Sequence, residues 1–297
     1  MFKGLTEGLA AGAVVLALSA GAACAGAERL YYERSLMLAA DARCGLFEAG
    51  VRAALAASAH QARGAALRAG TADPELSATQ ARAVTRARST DCGSSDLDVA
   101  AARVRDGFAG WLRTARMTFP GARQDWRADR TQLPRAAWRL QQSGRFRSAP
   151  VIFGHAADAD GAGGLAAVVS FPGRSRPYAA RIVMRDPARA HRPWIVQAGL
   201  TPQSPAPQSL GALPPVNARR AFWAASSRAA PAALLPADRR QGEIWRFPDE
   251  AGDAIAGLDP RERFTVEFLF RDDSVMRVRF EAGDYAAARA FLALGGI

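Results

Sequence analysis

The sequence predicts an α+β protein, with an N-terminal helical domain held by one disulfide and then a β-rich antiparallel domain with short helices. Apolar residues recur at helical spacing in the first part of the chain, whereas their period changes to two after Pro150. Cys44 and Cys92 follow a segment typical of export, and an apolar content of 49% is ample for a core. The predicted domains are 28–120 (helical), 121–147 (a basic connector) and 148–297 (β-rich).

The first 27 residues have the pattern of a cleavable signal peptide. Lys3 provides a positive start, an apolar run extends from Leu9 to Ala23, and small residues follow. The apolar run is shorter than the roughly 20 residues that a membrane-spanning helix needs, so we favour cleavage after Ala25 or Ala27 over a retained anchor. We therefore predict a periplasmic or secreted protein whose mature chain has no transmembrane segment.

A lipoprotein anchored through Cys24 is the alternative for the N-terminus. The preceding residues are Gly21-Ala22-Ala23, whereas a lipobox has leucine at the first of these three positions. A free N-terminus near Gly26 or Glu28, found by mass spectrometry, excludes this lipid anchor.

The composition is strongly basic, with a formal net charge of +11 at pH 7. Of the 39 lysines and arginines only Lys3 is a lysine. A solvated basic surface is one interpretation, because arginine and alanine both have GC-rich codons. The functional interpretation is attraction to an anionic envelope component, such as lipid, lipopolysaccharide or cell-wall polymer, or to another envelope protein. Export argues against nucleic acid as the partner.

The helical domain contains three predicted helical segments. Residues 28–69 are rich in Ala, Leu and Arg and contain no proline. Asp73-Pro74-Glu75 is typical of a helix start, and that helix extends to about Arg88. Ser95 begins the next helix. Phe119-Pro120-Gly121 ends the domain.

The two cysteines of the mature chain predict one disulfide. Cys44 shares a helical stripe with Phe47, Val51 and Leu55 and therefore faces a core, and Cys92 lies just before a predicted helix. A bridge between them would stabilise the fold by about 4 kcal/mol in the chain-entropy description. The alternatives are two separate buried thiols, or a reactive Cys92 whose pKa is lowered by the helix N-terminus.

The connector combines arginines with tryptophans. Arg123, Arg127 and Arg130 fall at i, i+4 and i+7, which predicts one face of a helix. Trp126 and Trp138 interleave with further arginines, and such rings can stack on planar or anionic ligands. These five residues are the candidate contacts for an anionic ligand or a membrane surface. A surface helix whose tryptophans pack inward is the alternative. The further arginines are Arg135, Arg139, Arg145 and Arg147.

The β-rich domain begins with alternating apolar residues and contains a Pro-rich linker at 201–217. Pro172-Gly173 is typical of a turn. A helix is predicted over 249–258, and a final helix begins at Gly283-Asp284. The predicted strands are Val151–Phe153, Leu165–Phe171, Tyr178–Met184, Trp194–Val196, Ala221–Ala225 and Glu243–Phe247.

A hairpin between 264 and 280 is the clearest predicted element. Its apolar residues alternate in both strands, and both sets must face one core. That requirement predicts Phe268 opposite Val278 and a loop of Asp272-Asp273-Ser274. The same register predicts an ion pair between Glu267 and Arg279 on the outer face.

Catalytic motifs are sparse in this sequence. With Lys3 as the only lysine there is no phosphate-binding loop with its lysine, no Ser-x-x-Lys site and no Schiff-base enzyme. We predict no metal or cofactor site, because the three histidines are far apart in the sequence. His155 precedes Asp158 and Asp160, a cluster that suits a cation or a dispersed hydrolase site, with a solvated turn as the alternative.

Two segments carry a resemblance to a known family. Residues 41–47 (Asp-Ala-Arg-Cys-Gly-Leu-Phe) and 280–292, with Gly283-Asp284-Tyr285, resemble a family of uncharacterised exported proteins of Gram-negative bacteria. The resemblance covers most of the mature chain and implies export but no activity. The closing strand and helix are also similar to the end of invasion-associated locus B proteins, which are small exported β-rich proteins.

Together these observations predict an exported, non-enzymatic protein that binds or scaffolds an envelope component. The alternative is a periplasmic hydrolase with a dispersed site near His155.

Overall fold

The structure has the predicted α+β class, because N-terminal helices precede a part of the chain rich in antiparallel strands. The computed structural model describes residues 10–147, 149–159, 163–171, 175–195 and 213–297, with side chains from residue 25 onward. The chain divides into two compact units, Met1–Ala109 and Gly110–Ile297. The sequence-based prediction puts the end of the helical domain at residue 120.

The first unit is built from helices that each bury one apolar stripe. The helices are α1 (Ala10–Cys44), α2 (Ala49–Arg68), α3 (Asp73–Ser89) and α4 (Ser95–Leu112), the last of which extends into the second unit. One cluster in this unit includes Met37, Phe47, Leu55 and Leu97. In the part of the chain that the structure describes, no helix is long and apolar enough to cross a membrane.

Asp41 fixes the turn between α1 and α2. Gly45, at φ +65°, ends α1 in the left-handed region that glycine adopts without a steric penalty. The buried Asp41 carboxylate accepts a hydrogen bond from the amide of Phe47 at 2.8 Å and pairs with Arg52. Burial alone would raise the pKa of Asp41, but these contacts hold it below its ordinary value.

The predicted disulfide is confirmed. Cys44, the last residue of α1, is bonded to Cys92 in the loop between α3 and α4, with their Cα atoms 5.6 Å apart. The bridge spans a sequence separation of 48 residues. It therefore joins the end of α1 to the loop that precedes α4.

The second unit contains two antiparallel sheets. The strands are β1 (Arg116–Phe119), β2 (Trp126–Asp129), β3 (Ala137–Phe146), β4 (Ala149–Ala157), β5 (Gly163–Val169), β6 (Ala179–Arg185), β7 (Arg219–Trp223), β8 (Ser226–Ala229), β9 (Glu243–Arg246), β10 (Arg263–Leu269) and β11 (Val275–Glu281). One sheet has the order β1-β2-β3-β4-β5-β9-β8, and the other has the order β11-β10-β6-β7. Helices α5 (Asp249–Ala256) and α6 (Tyr285–Leu292) complete the unit.

Aromatic residues form the core of this unit. Phe153 of the larger sheet lies 5.1 Å and 5.2 Å, between ring centroids, from Phe264 and Phe280 of the smaller sheet. Trp126 lies 4.9 Å from Tyr285 of α6. All five rings are almost fully buried, so the alternating residues of both sheets face one another.

Gln142 joins the two sheets where β3 meets β11. Its side-chain oxygen accepts the amide hydrogen of Glu281 at 2.7 Å, and its side-chain nitrogen donates to the carbonyl of Glu281 at 3.3 Å. A Cβ on the neighbouring Gly144 would lie 2.8 Å from a methyl group of Val278. The absence of a side chain at Gly144 therefore permits the close approach of the strands.

The register predicted for the hairpin is wrong by two residues. Phe268 pairs with Met276, and Glu267 pairs with Arg277 at 2.8 Å, not with Arg279. The reason lies in the loop, which closes through a 3.0 Å hydrogen bond from Phe270 to Ser274. Asp273 adopts φ +60° within it, a conformation that aspartate tolerates better than most residues. The predicted faces are nevertheless correct, because a shift of two residues preserves them.

Other strand predictions have mixed outcomes. Five of the six predicted strands overlap β4, β5, β6, β7 and β9. Trp194 and Ile195 lie outside any strand, and the Trp194 amide donates to the carboxylate of Glu262 at 2.8 Å. The Pro172-Gly173 turn, Val196 and residues 201–212 of the Pro-rich segment lie outside the described residues.

We expect loss of the disulfide to destabilise the first unit. Replacing both Cys44 and Cys92 by alanine should lower the free energy of unfolding by about 4 kcal/mol, because the unfolded chain regains loop entropy. Thermal unfolding with and without reductant measures the effect, since reductant should affect the native chain and not the double variant. Equal stability of the native chain in both conditions would contradict the structural role of the bridge.

We also expect Gly144→Ala to lower the free energy of unfolding by about 1–3 kcal/mol, since the added methyl group overlaps the β11 side chains. Gly164→Ala is the matched control, because a Cβ there meets its nearest neighbour at 3.6 Å. Chemical denaturation compares the two variants. Equal losses would show that the contact between β3 and β11 tolerates a side chain.

Candidate functional site

The predicted helical face of arginines is wrong, because the connector forms strands β2 and β3. Trp126 and Ala128 are buried and alternate with the exposed Arg127, which is the period of a strand and not of a helix. Arg123 lies in the loop before β2 and is also exposed. The two exposed arginines remain candidate contacts, but they are placed by the sheet.

Arg130 serves the core of the second unit instead. It is 3% exposed, and its guanidinium donates to the carbonyl groups of Gly295 at 2.6 Å, Thr114 at 3.0 Å and Trp111 at 3.1 Å. The group also lies 5.2 Å from the ring centroid of Phe291. The guanidinium donors of Arg130 are therefore engaged by the backbone, which gives this residue a structural role.

The two candidate tryptophans have different environments. The buried Trp126 donates its indole hydrogen to the carbonyl groups of Glu281 and Ala282, so its ring cannot stack on a ligand. Trp138 is partly buried, and its indole donates to the carbonyl of Leu234 at 3.0 Å. This bond holds the ring of Trp138 at the edge of a surface cleft.

This cleft, of about 960 Å³, is lined by six arginines and is called the arginine cleft below. Its floor is the outer face of β3, where Gln141, Ser143 and Arg145 alternate with buried residues. Glu281 is the only carboxylate among the described residues that line it. The six arginines are Arg123, Arg127, Arg145, Arg263, Arg277 and Arg279.

Strand pairing and the junction of the sheets bring these arginines together. Arg127 of β2 lies opposite Gln141 of β3. Arg277 and Arg279 belong to β11, which packs against β3 through Gln142. Residues that are far apart in the sequence therefore line the same cleft.

Glu281 organises the cleft but does not neutralise it. The carboxylate is buried, pairs with Arg263 at 3.2 Å and accepts hydrogen bonds from the backbone amides of Arg123 at 2.8 Å and Gln124 at 3.1 Å. These bonds fix the loop that carries Arg123. Arg277 is paired separately with Glu267.

Three arginines of the cleft have no oppositely charged partner among the described residues. Within the described residues, the side chains of Arg123, Arg127 and Arg145 form no hydrogen bond or ion pair, and all three residues are exposed. The side-chain oxygen of Gln124 is buried there without a partner among the same residues. Like charges in a concave surface raise the local positive potential, which attracts anions.

An apolar wall faces the arginines across β3. Ile152 of β4 lies opposite Ser143, and Leu235 and Pro236 follow the 3-10 helix Ala232–Leu234. Leu235 and Trp138 pack on a small cluster on the outer face of the larger sheet. The cleft therefore has one cationic and one apolar side.

A second cavity, of about 710 Å³, is lined by charged residues that already have partners. Asp129 pairs with Arg116 at 2.8 Å, Arg139 donates to the carbonyl of Thr131, and Arg130 is engaged as described above. The arginine cleft is for this reason the better candidate for a binding site.

His155 lies in β4, before the acidic residues Asp158 and Asp160. Its Nε2 is 2.6 Å from the hydroxyl of Tyr285. Burial, and to a smaller extent the positive charge of Arg289, lower the pKa of His155 to about 4, although Asp249 and Asp253 act in the opposite direction. Burial also raises the pKa of the Tyr285 hydroxyl. Both groups are therefore neutral at neutral pH.

Asp158 is held by arginines. Its carboxylate lies 2.8 Å from both Arg228 and Arg246, and Asp160 lies outside the described residues. In the described part of the chain no group of three His, Cys, Asp or Glu residues could hold a metal ion. Among the described residues, the hydroxyl beside His155 is that of the buried Tyr285, and Asp158 is engaged by its two arginines.

Sequence reasoning missed three residues of the cleft. Arg263, Arg277 and Arg279 were not among the candidates, and Arg145 was noted only as a neighbour of the aromatics. The sequence did contain a signal for two of them, because Arg277 and Arg279 alternate with apolar residues and so share the outer face of a strand. Their approach to Arg127 depends on the packing of β11 against β3, which has no local sequence signature.

Comparisons with known proteins return no match: no family model fits the chain, and no curated protein or solved structure is similar to it. The resemblance to exported proteins of Gram-negative bacteria therefore stays a prediction from the sequence.

We expect His155 to make the second unit less stable in acid. The unfolded chain takes up a proton near the ordinary histidine pKa of 6.5, whereas the folded state does so only at about 4. Stability should thus fall by up to about 3 kcal/mol between pH 6.5 and 4. His155→Gln should remove that part of the slope in denaturation curves, and His191→Gln, at an exposed position, is the control. Identical slopes for the native chain and His155→Gln would contradict this expectation.

Proposed function

We propose that this protein is exported to the periplasm and binds an anionic envelope component in the arginine cleft, without catalysing a reaction. The observation that carries the proposal is the position of Arg123, Arg127 and Arg145, which line one cleft and whose side chains pair with no carboxylate among the described residues. A bound anion offsets the repulsion between these guanidinium groups.

The chemistry of the cleft suits phosphate or carboxylate groups. Guanidinium groups bind both in a bidentate geometry and are more weakly hydrated than lysine ammonium groups. Buried carboxylates fix Arg263 and Arg277, so these two residues shape the site, while Arg123, Arg127 and Arg145 are available to the ligand. We place the ligand in the envelope and not among nucleic acids, because we expect the chain to be exported.

Two features support the extracytoplasmic location. The N-terminal residues have the pattern of a signal peptide, with cleavage after Ala25 or Ala27 preferred over lipidation of Cys24. The disulfide between Cys44 and Cys92 is typical of oxidising compartments, because thiols stay reduced in most cytoplasms.

We expect the triple variant Arg123→Gln, Arg127→Gln, Arg145→Gln to bind anions about 100-fold more weakly, if each exposed contact contributes about 1 kcal/mol. Binding of long-chain polyphosphate and of phosphatidylglycerol vesicles, measured between low and physiological salt, tests this. The native affinity should fall as salt rises, because salt screens exposed charges.

A matched control separates the cleft from net charge. Arg86→Gln, Arg88→Gln, Arg103→Gln removes three exposed arginines of the helical unit and so lowers the net charge equally. This control should keep near-native affinity. Equal loss in both triple variants, or binding that is indifferent to salt, would refute the proposed site.

A further inference from the structure

The two sides of the arginine cleft differ in chemistry in a way that restricts the ligand. Arg123 and Arg127 lie on the β2 side of β3, whereas Ile152 lies on the β4 side and Leu235 packs on the cluster that includes Ala156 of β4. A binding site for a purely hydrophilic anion does not require the apolar residues of the β4 side.

The spacing of the strands sets the size of such a ligand. Neighbouring strands are about 4.8 Å apart, so β2 and β4 are separated by about 10 Å across β3. The floor between them carries the side chains of Gln141, Ser143 and Arg145. A ligand that contacts both Arg127 and Ile152 therefore has its anionic group and its apolar part about 10 Å apart, with Arg145 of β3 between them.

The shape of the site favours one small molecule over an extended surface. Its volume of about 960 Å³ lies at the upper end of the range for small-molecule sites, and the site is concave. A flat bilayer cannot enter a concave cleft without releasing a molecule. The apolar side is aliphatic rather than aromatic apart from Trp138, which favours a hydrocarbon chain over a sugar ring.

We propose that the ligand is a single anionic amphiphile, whose phosphate or carboxylate group binds Arg123, Arg127 and Arg145 and whose hydrocarbon chain packs on Ile152, Leu235 and Pro236. The proposal rests on the proposed function and specifies its ligand class. The headgroup contacts provide specificity for charge, and burial of the chain adds affinity in proportion to the apolar area removed from water.

Titration calorimetry with dodecyl phosphate below its micelle concentration tests the proposal. Butyl phosphate supplies the same headgroup on a short chain, and dodecyl maltoside supplies the same chain without charge. We expect dodecyl phosphate to bind at least about tenfold more tightly than either. Equal affinity for butyl and dodecyl phosphate overturns the role of the apolar side, and equal affinity for dodecyl maltoside overturns the role of the arginines.

Variants of the apolar side provide a second measurement. Ile152→Thr and Leu235→Ala should weaken dodecyl phosphate binding about fivefold each while leaving butyl phosphate binding unchanged. Val99→Thr, at a half-exposed position on α4 in the helical unit, is the control. Circular dichroism checks that the variants fold, and the chain-length comparison on the native protein decides the question if they do not. No loss in either folded variant overturns the proposal.

The outcomes also separate this proposal from the proposed function. Cleft-dependent binding of polyphosphate without a preference for the longer phosphate ester overturns the amphiphile alone. Binding to phosphatidylglycerol vesicles without uptake of monomeric dodecyl phosphate does the same and favours a membrane surface. Failure of every anion, polyphosphate included, overturns both proposals.

Discussion

The hydrogen bonds between Gln142 and Glu281 are the contacts on which the organisation of the second unit depends. They join β3 of one sheet to β11 of the other through a buried side-chain amide that satisfies backbone groups of the second strand. The carboxylate of Glu281 then fixes the loop that carries Arg123. This buried junction therefore aligns the two sheets over their shared aromatic core. It also sets the arrangement of charged residues in the arginine cleft.

Buried carboxylates determine which arginines of this basic chain are structural. Glu262 binds Arg185 through two bonds of 2.6 Å and 2.7 Å, and Glu267 lies between Arg181 and Arg277. A buried carboxylate is unstable without such partners, so these arginines are needed for folding. Arg123, Arg127 and Arg145, which pair with no carboxylate among the described residues, add unbalanced charge to the cleft, and a net charge of +11 by itself does not indicate where that charge is concentrated.

The contrast between Arg127 and Arg130 shows where sequence reasoning succeeded and where it failed. The prediction that an arginine-rich segment with tryptophans contacts a ligand selected a region that does line the cleft, through Arg123, Arg127 and Trp138. The spacing of its arginines also fits a helix, and the burial of Trp126, which favours a strand, depends on residues more than 150 positions away. In the hairpin, likewise, the alternation of apolar residues predicted which side chains share a face, but the register depends on the turn conformation of Asp273.

The sequence by itself determined the α+β class, the pairing of Cys44 with Cys92 and the inward faces of most strands, because periodicity and cysteine count act locally or allow few alternatives. Only the tertiary structure decided that six arginines from four separate segments share one cleft opposite an aliphatic side. The approach of β11 to β3 depends on side-chain packing and on hydrogen bonds between residues distant in the chain, such as Gln142 and Glu281, and neither leaves a pattern in neighbouring residues.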